Sequence, residues 1–177
     1  MKPQLETERL ILNQPLDTDI PVLVEIMKNP IYHKNTTNIP FPYTEASAAF
    51  WVELAAQGLL NTNAYIFAIR LKNASKIIGG IGLGIDKMNH KAELGYWLDE
   101  TYWNQGLITE AAKEILSFGF EQLNLKRIFA SHFDSNKASG KIMQNIGMKK
   151  EGLLQAYTFK EGKYIDHVLY ASINPNL

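Results

Sequence analysis

The stretch from Ala92 to Leu125, which reads AELGYWLDETYWNQGLITEAAKEILSFGFEQLNL, decides the fold. Residues 93–98 are apolar or aromatic almost without a break, which predicts a strand buried on both faces. The charged pair Asp99-Glu100 ends that strand, and a helix must then begin near Gly106. Because the first amides of a helix have no partner inside it, a turn of this kind is able to hold a phosphate.

The helix predicted after Gly106 is amphipathic, since its apolar positions recur at helical spacing and polar side chains fill the other faces. The apolar positions are Ile108, Ala111, Ala112, Ile115, Gly119 and Leu123. After a short basic turn, the segment IFASHF (residues 128–133) has the pattern of another strand. Strand, helix and strand over this length form a βαβ unit, so the two strands should be parallel.

The remaining elements predict a single α/β domain over residues 1–177, a length sufficient for one good core. A helix is expected from Asp17 through Lys28, with Pro30 ending it, and a second helix opens at Thr44. The glycine run 79–84 lacks the spacing of a dinucleotide loop and is followed by a polar hairpin. We therefore expect a strand whose glycines leave one face bare for a close neighbour.

Composition excludes several classes of partner. Lysine and arginine together number 18, as do aspartate and glutamate. The chain therefore has no net positive charge that would attract nucleic acid or an anionic membrane. There are no cysteines, and the four histidines lack metal-ligand spacing, so we expect no disulfide and no metal site. Since no apolar run approaches the roughly 20 residues of a membrane span and no signal-peptide core is present, a cytoplasmic protein is predicted.

Residues 103–111, WNQGLITEA, resemble the acyl-CoA pyrophosphate loop of the GCN5-related N-acetyltransferases (GNAT), and more narrowly of their RimJ/RimL-like ribosomal-protein-alanine acetyltransferase branch. The resemblance spans nearly the whole chain. Its further motifs are ETERLIL at 6–12, AELGYWL at 92–98, Asn136-x-x-Ser139, Ile146-Gly147-Met148, Glu151-Gly152, Gly162 and Asp166.

This resemblance implies a GNAT fold: a mixed, mostly antiparallel sheet of about seven strands flanked by four helices, with a splayed parallel pair at its centre. It implies acetyl-CoA as co-substrate and transfer of the acetyl group to a primary amine, by direct attack in a ternary complex. The amine is a protein N-terminus or a small molecule, and a homodimer is left open. Carried over residue by residue, the implied cofactor contacts are Trp97, Leu98, Trp103, Gln105, Gly106, Leu107, Ile108, Thr109 and Asn136.

Three positions depart from the family pattern. Asn104 stands where the branch has Gly, and Ile108 where a small residue is preferred. Since the loop binds phosphate through main-chain N–H groups, both are tolerated. Many relatives carry, seven positions after Asn136, a Tyr that protonates the departing thiolate, and this chain has Met143 there. That role is vacant or is taken by Ser139.

Amine attack also needs a base, since most amines are protonated near pH 7. Glu93 on the central strand is the best-placed carboxylate, and the oxyanion donor is expected around Trp97 and Leu98. Structural alternatives stay open: Asp134, Ser135 or Asn136 caps the next helix, Ser139 is an exposed helix residue, and His132 is structural rather than near the reaction centre. A non-catalytic acyl-CoA-binding module is the alternative function. Residues 35–43 and the helix after them should decide which amine is accepted.

Overall fold

The computed structural model of the protein describes residues 3–176, which form one eight-stranded sheet with helices on both faces. The strands are β1 (Leu5–Glu6), β2 (Leu10–Asn13), β3 (Ala64–Leu71), β4 (Ile77–Asp86), β5 (Lys91–Leu98), β6 (Arg127–Phe133), β7 (Lys149–Lys160) and β8 (Lys163–Ile173). The helices are α1 (Ile20–Met27), α2 (Pro30–Asn35), α3 (Glu45–Leu60), α4 (Leu107–Ser117) and α5 (Lys137–Asn145). The strand order is β1-β2-β3-β4-β5-β6-β8-β7.

The mixed, mostly antiparallel fold class is confirmed, because every strand pair is antiparallel except β5 with β6. The sheet has eight strands rather than about seven because the opening segment adds the two-residue strand β1. Five α-helices take the place of the expected four, since the first helical segment is divided in two.

The prediction that Pro30 ends a helix running from Asp17 was wrong in detail. A short 3₁₀ turn over residues 17–19 precedes α1, which ends at Met27, and Pro30 is the first residue of α2. The Asn29 side chain accepts a hydrogen bond from the Ile31 amide at 3.0 Å. Proline suits the first position of a helix because its fixed φ is helical and its missing N–H would have no partner there.

The central strand β5 divides its side chains between two apolar clusters. Ala92, Leu94 and Leu98 are buried in the main core beneath α4, whereas Trp97 packs with the cluster under α1 and α3. The prediction of burial on both faces was wrong for the first half of the strand, since Glu93 and Gly95 are exposed. The side chains of this half therefore alternate between buried and exposed, as in a strand with one face covered.

The parallel pair β5–β6 is splayed, as predicted. Pairing is confined to Lys91–Glu93 of β5 with Arg127–Phe129 of β6, although β5 follows β4 up to Leu98 and β6 follows β8 up to Phe133. The two strands consequently separate beyond Glu93, and a V-shaped gap opens towards their carboxyl ends. The backbone groups of β5 that face β6 have no ladder partner along this gap.

Candidate active site

The loop between β5 and α4 presents main-chain N–H groups. Gly106 caps α4 with φ of +75°, and Asn104 also has a positive φ of +59°. The amides of residues 105–109 have no hydrogen-bond partner within residues 3–176, and only at Glu110 does the helical ladder begin, with a bond to the Gly106 carbonyl. An unpaired set of amides at the positive end of a helix dipole fits an anion such as a pyrophosphate.

The side chains of this loop hold it in place. Leu107 and Ile108 are buried in the main core, so Ile108 points away from the outward-facing amides, which agrees with its being tolerated. The Trp103 ring nitrogen donates to the Leu98 carbonyl at 2.8 Å and ties the loop to the end of β5. The Gln105 side chain donates from Nε2 to the Thr101 carbonyl at 3.2 Å. Trp103 and Gln105 thus shape the loop, and their side chains have protein partners.

A carboxylate in the first turn of α4 is fully engaged. Glu110 accepts hydrogen bonds from the Thr7 hydroxyl, from the Arg9 amide at 2.8 Å and from the Arg9 side chain at 2.7 Å. Burial by itself would raise the pKa of Glu110, but these donors outweigh burial and hold it below the usual value. Glu110 is therefore a structural carboxylate.

The splayed edge of β5 offers further donors. Asp99 donates its amide to the Ile78 carbonyl of β4 at 2.8 Å. Since successive amides of a strand point to opposite sides, the N–H groups of Tyr96 and Leu98 are directed to the gap and that of Trp97 to β4. The Trp97 ring lies 6.3 Å from Tyr32 and 6.0 Å from Trp51, on the α1–α3 face. Its side chain is thus not brought to the phosphate loop.

Residues on the two sides of the gap meet on the α4–α5 face. The Tyr96 hydroxyl lies 2.9 Å from the Ser139 hydroxyl and donates to the Ser139 carbonyl at 3.1 Å. Burial raises the pKa of Tyr96 to about 12, and the bond with Ser139 offsets part of that rise, so the phenol keeps its proton at neutral pH. Sequence reasoning missed Tyr96, although the period of two along β5 puts it on the same face as Leu94 and Leu98.

The capping alternative for Asn136 is realised, because its side chain accepts from the Ser139 amide at 3.3 Å at the start of α5. Met143 is only 2% exposed and belongs to the main core, so this position does not face solvent. His132 is buried, and its Nδ1 bonds the Phe133 carbonyl at 2.8 Å. Its Nε2 would lie 2.5 Å from a Cβ on Gly140, which places His132 tightly beneath α5 and supports its structural interpretation.

Glu93 lies at the vertex of the gap, on the face of the sheet opposite to Tyr96 and Ser139. It is the last residue of β5 paired with β6, opposite Phe129, and opposite Gly84 on the other side. A Cβ added at Gly84 or Gly95 would meet no atom within 4 Å, so this face is open beside Glu93. Although Glu93 is exposed, enough protein surrounds its carboxyl for desolvation to raise its pKa.

The hairpin of β7 and β8 is tied to α2 and to Thr36, which follows it. His33 Nε2 lies 2.8 Å from the Glu161 carboxylate, and the Lys160 ammonium donates to the carbonyls of His33 and Thr36, the latter at 2.6 Å. A cavity of about 470 Å³ lies nearby, between α2, the turn before α5 and this hairpin. Since the Tyr32 hydroxyl of α2 accepts from the Glu100 amide after β5, and Asp134 after β6 donates to the Asp166 carbonyl of β8, α2, Thr36 and the hairpin form a connected rim at the open end of the gap.

A strand–loop–helix anion site beside a splayed parallel pair is the arrangement that the resemblance to the GNAT family implies for an acyl-CoA-dependent transferase. A family model described as "Acetyltransferase (GNAT) domain" matches residues 9–149, so the chain belongs to the GNAT acetyltransferase family. Members of this family are N-acetyltransferases that use acetyl-CoA, which confirms the enzyme class and the co-substrate expected from the resemblance.

Relatives agree with this assignment. The chain is 33% identical to "Uncharacterized N-acetyltransferase p20" of Bacillus licheniformis over 94% of each chain. It is 28% identical to the ribosomal-protein-serine acetyltransferase of Escherichia coli over 86% of each, which bears out the resemblance to the RimJ/RimL-like branch. The fold matches a structure of RimL, a ribosomal L7/L12 alpha-N-protein acetyltransferase, in complex with coenzyme A, with a TM-score of 0.88 at 18% identity over 97% of this chain and 98% of that one.

Within residues 3–176, the histidine, aspartate and glutamate side chains form no group of three or more that could hold a metal ion. In the same part of the chain, no helix combines the length and apolar character that crossing a membrane requires.

Proposed function

We propose that the protein transfers the acetyl group of acetyl-CoA to a primary amine, by direct attack in a ternary complex, and that the physiological amine is a protein N-terminus. The observation that carries this proposal is the arrangement around the β5–β6 gap. The phosphate loop lies at its carboxyl end, Ser139 and Tyr96 face it from one side, and Glu93 lies at its vertex on the open face.

The amides of residues 105–109 would bind the pyrophosphate, as the unpaired N–H groups at the start of α4 suit. Asn136 would contact the pantetheine arm, which requires its side-chain amide to bind the arm in addition to capping α5. The Leu98 N–H, and that of Tyr96, face the gap and would stabilise the oxyanion formed when the amine attacks the thioester carbon.

Glu93 would accept the proton that the attacking nitrogen loses, directly or through a water molecule. Its raised pKa makes it a stronger base than an ordinary glutamate. When the carbon–sulfur bond breaks, the thiolate would accept a hydrogen bond from the Ser139 hydroxyl and take its proton from water. The neighbouring Tyr96 phenol holds that hydroxyl in place. A thiol pKa near 8.5 means that an acid helps this step without being essential.

The acceptor is proposed from the relatives and from the chemistry of amines. The Escherichia coli relatives are named as ribosomal-protein-serine and ribosomal-protein-alanine acetyltransferases. A terminal amine, with pKa near 8, also has a larger free fraction at neutral pH than a lysine with pKa near 10.4. The rim made by α2, Thr36 and the β7–β8 hairpin is where an acceptor peptide would approach. A cytoplasmic location and a homodimer stay predictions.

A thiol-release assay tests this proposal. Purified protein is incubated with acetyl-CoA and a panel of peptides that differ in the first residue, beside polyamines and aminoglycosides, and products are identified by mass spectrometry. We expect release with N-terminal peptides and acetylation at the α-amine. Binding of acetyl-CoA without release for any amine would instead support the non-catalytic acyl-CoA-binding module. Release only with small amines would contradict the protein N-terminus as acceptor.

A further inference from the structure

Arg9 reaches the phosphate loop from a distant part of the chain. It lies in the turn between β1 and β2, 96 residues before Gln105, and donates from Nη1 to the Gln105 carbonyl at 3.0 Å. Its Nε donates to Glu110 at 2.7 Å, and its Nη2 would be 3.6 Å from a Cβ on Gly106. One guanidinium therefore contacts the carbonyl before Gly106 and the first turn of α4, and it lies beside the position that a Gly106 side chain would take.

The bond to the Gln105 carbonyl fixes the orientation of a peptide group. In a trans peptide the C=O and the following N–H point in opposite directions. Because the Gln105 carbonyl is directed at Arg9, the Gly106 N–H must be directed away from Arg9. Rotation of this peptide would move that donor, and Gly106, which itself has a positive φ, resists such rotation little. Arg9 supplies the restraint that the loop lacks.

The guanidinium is itself held rigidly. Glu110 accepts from the Arg9 side chain and also from the Arg9 amide and the Thr7 hydroxyl. The last two bonds do not need the Arg9 side chain, so the link between this turn and α4 survives its substitution. A change at Arg9 consequently perturbs the loop peptide and leaves the helix attached to the sheet.

We infer that Arg9 is a positioning residue for acetyl-CoA binding, which orients the Gln105–Gly106 peptide so that the Gly106 N–H faces the pyrophosphate. This inference rests on the proposed function. A planar fork with two fixed N–H directions is required to bond Glu110 and the Gln105 carbonyl at once, and a lysine ammonium does not provide it. The role thus depends on the shape of the side chain and not only on its charge.

The test compares Arg9→Gln, Arg9→Lys and the control Lys72→Gln, each shown to be folded by thermal denaturation. Lys72 is the matched control, because its ammonium pairs with Glu6 of β1 at 3.7 Å, close to Arg9, and within residues 3–176 its side chain has no partner in the loop. Affinity for acetyl-CoA is measured by calorimetry. The value of kcat/KM is measured with acetyl-CoA and with S-acetylpantetheine, which has the thioester but lacks the pyrophosphate.

We expect both Arg9 variants to lose about tenfold or more in acetyl-CoA affinity, the scale of one misplaced hydrogen bond to a charged group. Their kcat/KM with S-acetylpantetheine should stay within about twofold of the parent, because that substrate makes no use of the loop. A parental affinity in Arg9→Gln would overturn the inference, and a parental affinity in Arg9→Lys would reduce it to charge attraction. An equal loss with both substrates would show a general structural role. Failure of the parent itself to bind acetyl-CoA would contradict the proposed function instead.

Discussion

Replacing Gly106 with alanine distinguishes two effects of a left-handed residue in the phosphate loop, a loss of stability through backbone strain and a loss of acetyl-CoA affinity. Gly106 has φ of +75°, and an added Cβ would have only Arg9 Nη2 near it, at 3.6 Å, an ordinary van der Waals distance. The substitution therefore introduces no clash with the protein. Its cost is the left-handed backbone conformation, roughly 1–2 kcal/mol for a residue with a Cβ.

Two outcomes follow from that strain. If the loop keeps its conformation, the free energy of unfolding falls by about 1–2 kcal/mol, which lowers Tm by roughly 2–8 °C in a chain of this size. If the loop relaxes to negative φ, the amides turn away from the pyrophosphate. Each lost hydrogen bond to a charged group costs roughly 1.5–3 kcal/mol, so acetyl-CoA affinity should fall about 10- to 100-fold. The bulkier Gly106→Val should lose at least as much.

Gly162 provides the matched control. It lies in the β7–β8 turn with φ of +76°, and a Cβ there would meet no atom within 4 Å. Gly162→Ala should show a similar fall in Tm with parental acetyl-CoA affinity, because its strain is far from the loop. Thermal denaturation and calorimetric titration measure both quantities. A folded Gly106→Ala or Gly106→Val variant with unchanged affinity, or an equal affinity loss in Gly162→Ala, would refute the reasoning.

Three further predictions concern other side chains. Glu93→Gln should lower kcat/KM by roughly a hundredfold or more and alter the acidic limb of its pH profile. In the parent, that limb should lie above the ordinary glutamate range, because burial raises the pKa of Glu93. An unchanged profile between about pH 6 and 9 at near-parental rate would assign the role of base to water or to the free amine. Ser139→Ala should lower kcat more than it raises the acetyl-CoA KM, as steady-state kinetics would show, and equal turnover would leave Ser139 with a structural role only. Burial, followed by the neighbouring His132, lowers the pKa of His167 below its ordinary value, so its contribution to stability is complete above about pH 6.5 and is lost as pH falls through the folded value. Chemical denaturation should therefore show a shallower loss of stability on acidification in His167→Gln, and parallel curves for the two proteins would contradict this.

The sequence predicted the centre of the molecule well because local patterns determine it. The helical spacing after Gly106 and the apolar run before it are local signals, and the parallel pairing of β5 with β6 follows from the length of their connection. The glycine run was also interpreted correctly in part. A Cβ on Gly80 would be 2.5 Å from the Trp97 ring, although Gly84 faces open space.

The features that were not predicted depend on contacts between distant residues. The Arg9 bonds to Gln105 and Glu110 join positions about a hundred residues apart, and no periodic pattern in the sequence predicts them. The period of two along β5 could have placed Tyr96 on the same face as Leu94, but it could not have identified Ser139 on α5 as its partner. The exposure of Glu93 likewise depends on where the helices of the other face end, which the composition of the strand does not encode.

The division of the proposed site between two faces bears on the choice of amine. Glu93 lies on the open face beside Gly84 and Gly95, whereas Ser139 and Tyr96 lie on the α4–α5 face, so the amine and the thiolate would interact with separate groups. A carboxylate remains a modest base even when burial raises its pKa. It is best matched to an amine that is already partly free at neutral pH. At pH 7 about one in ten molecules of a terminal amine is uncharged, against roughly one in 2,500 for a lysine side chain. This difference, about 3 kcal/mol in the free energy of deprotonation, favours the α-amine of a protein over lysine-like amines as the acceptor.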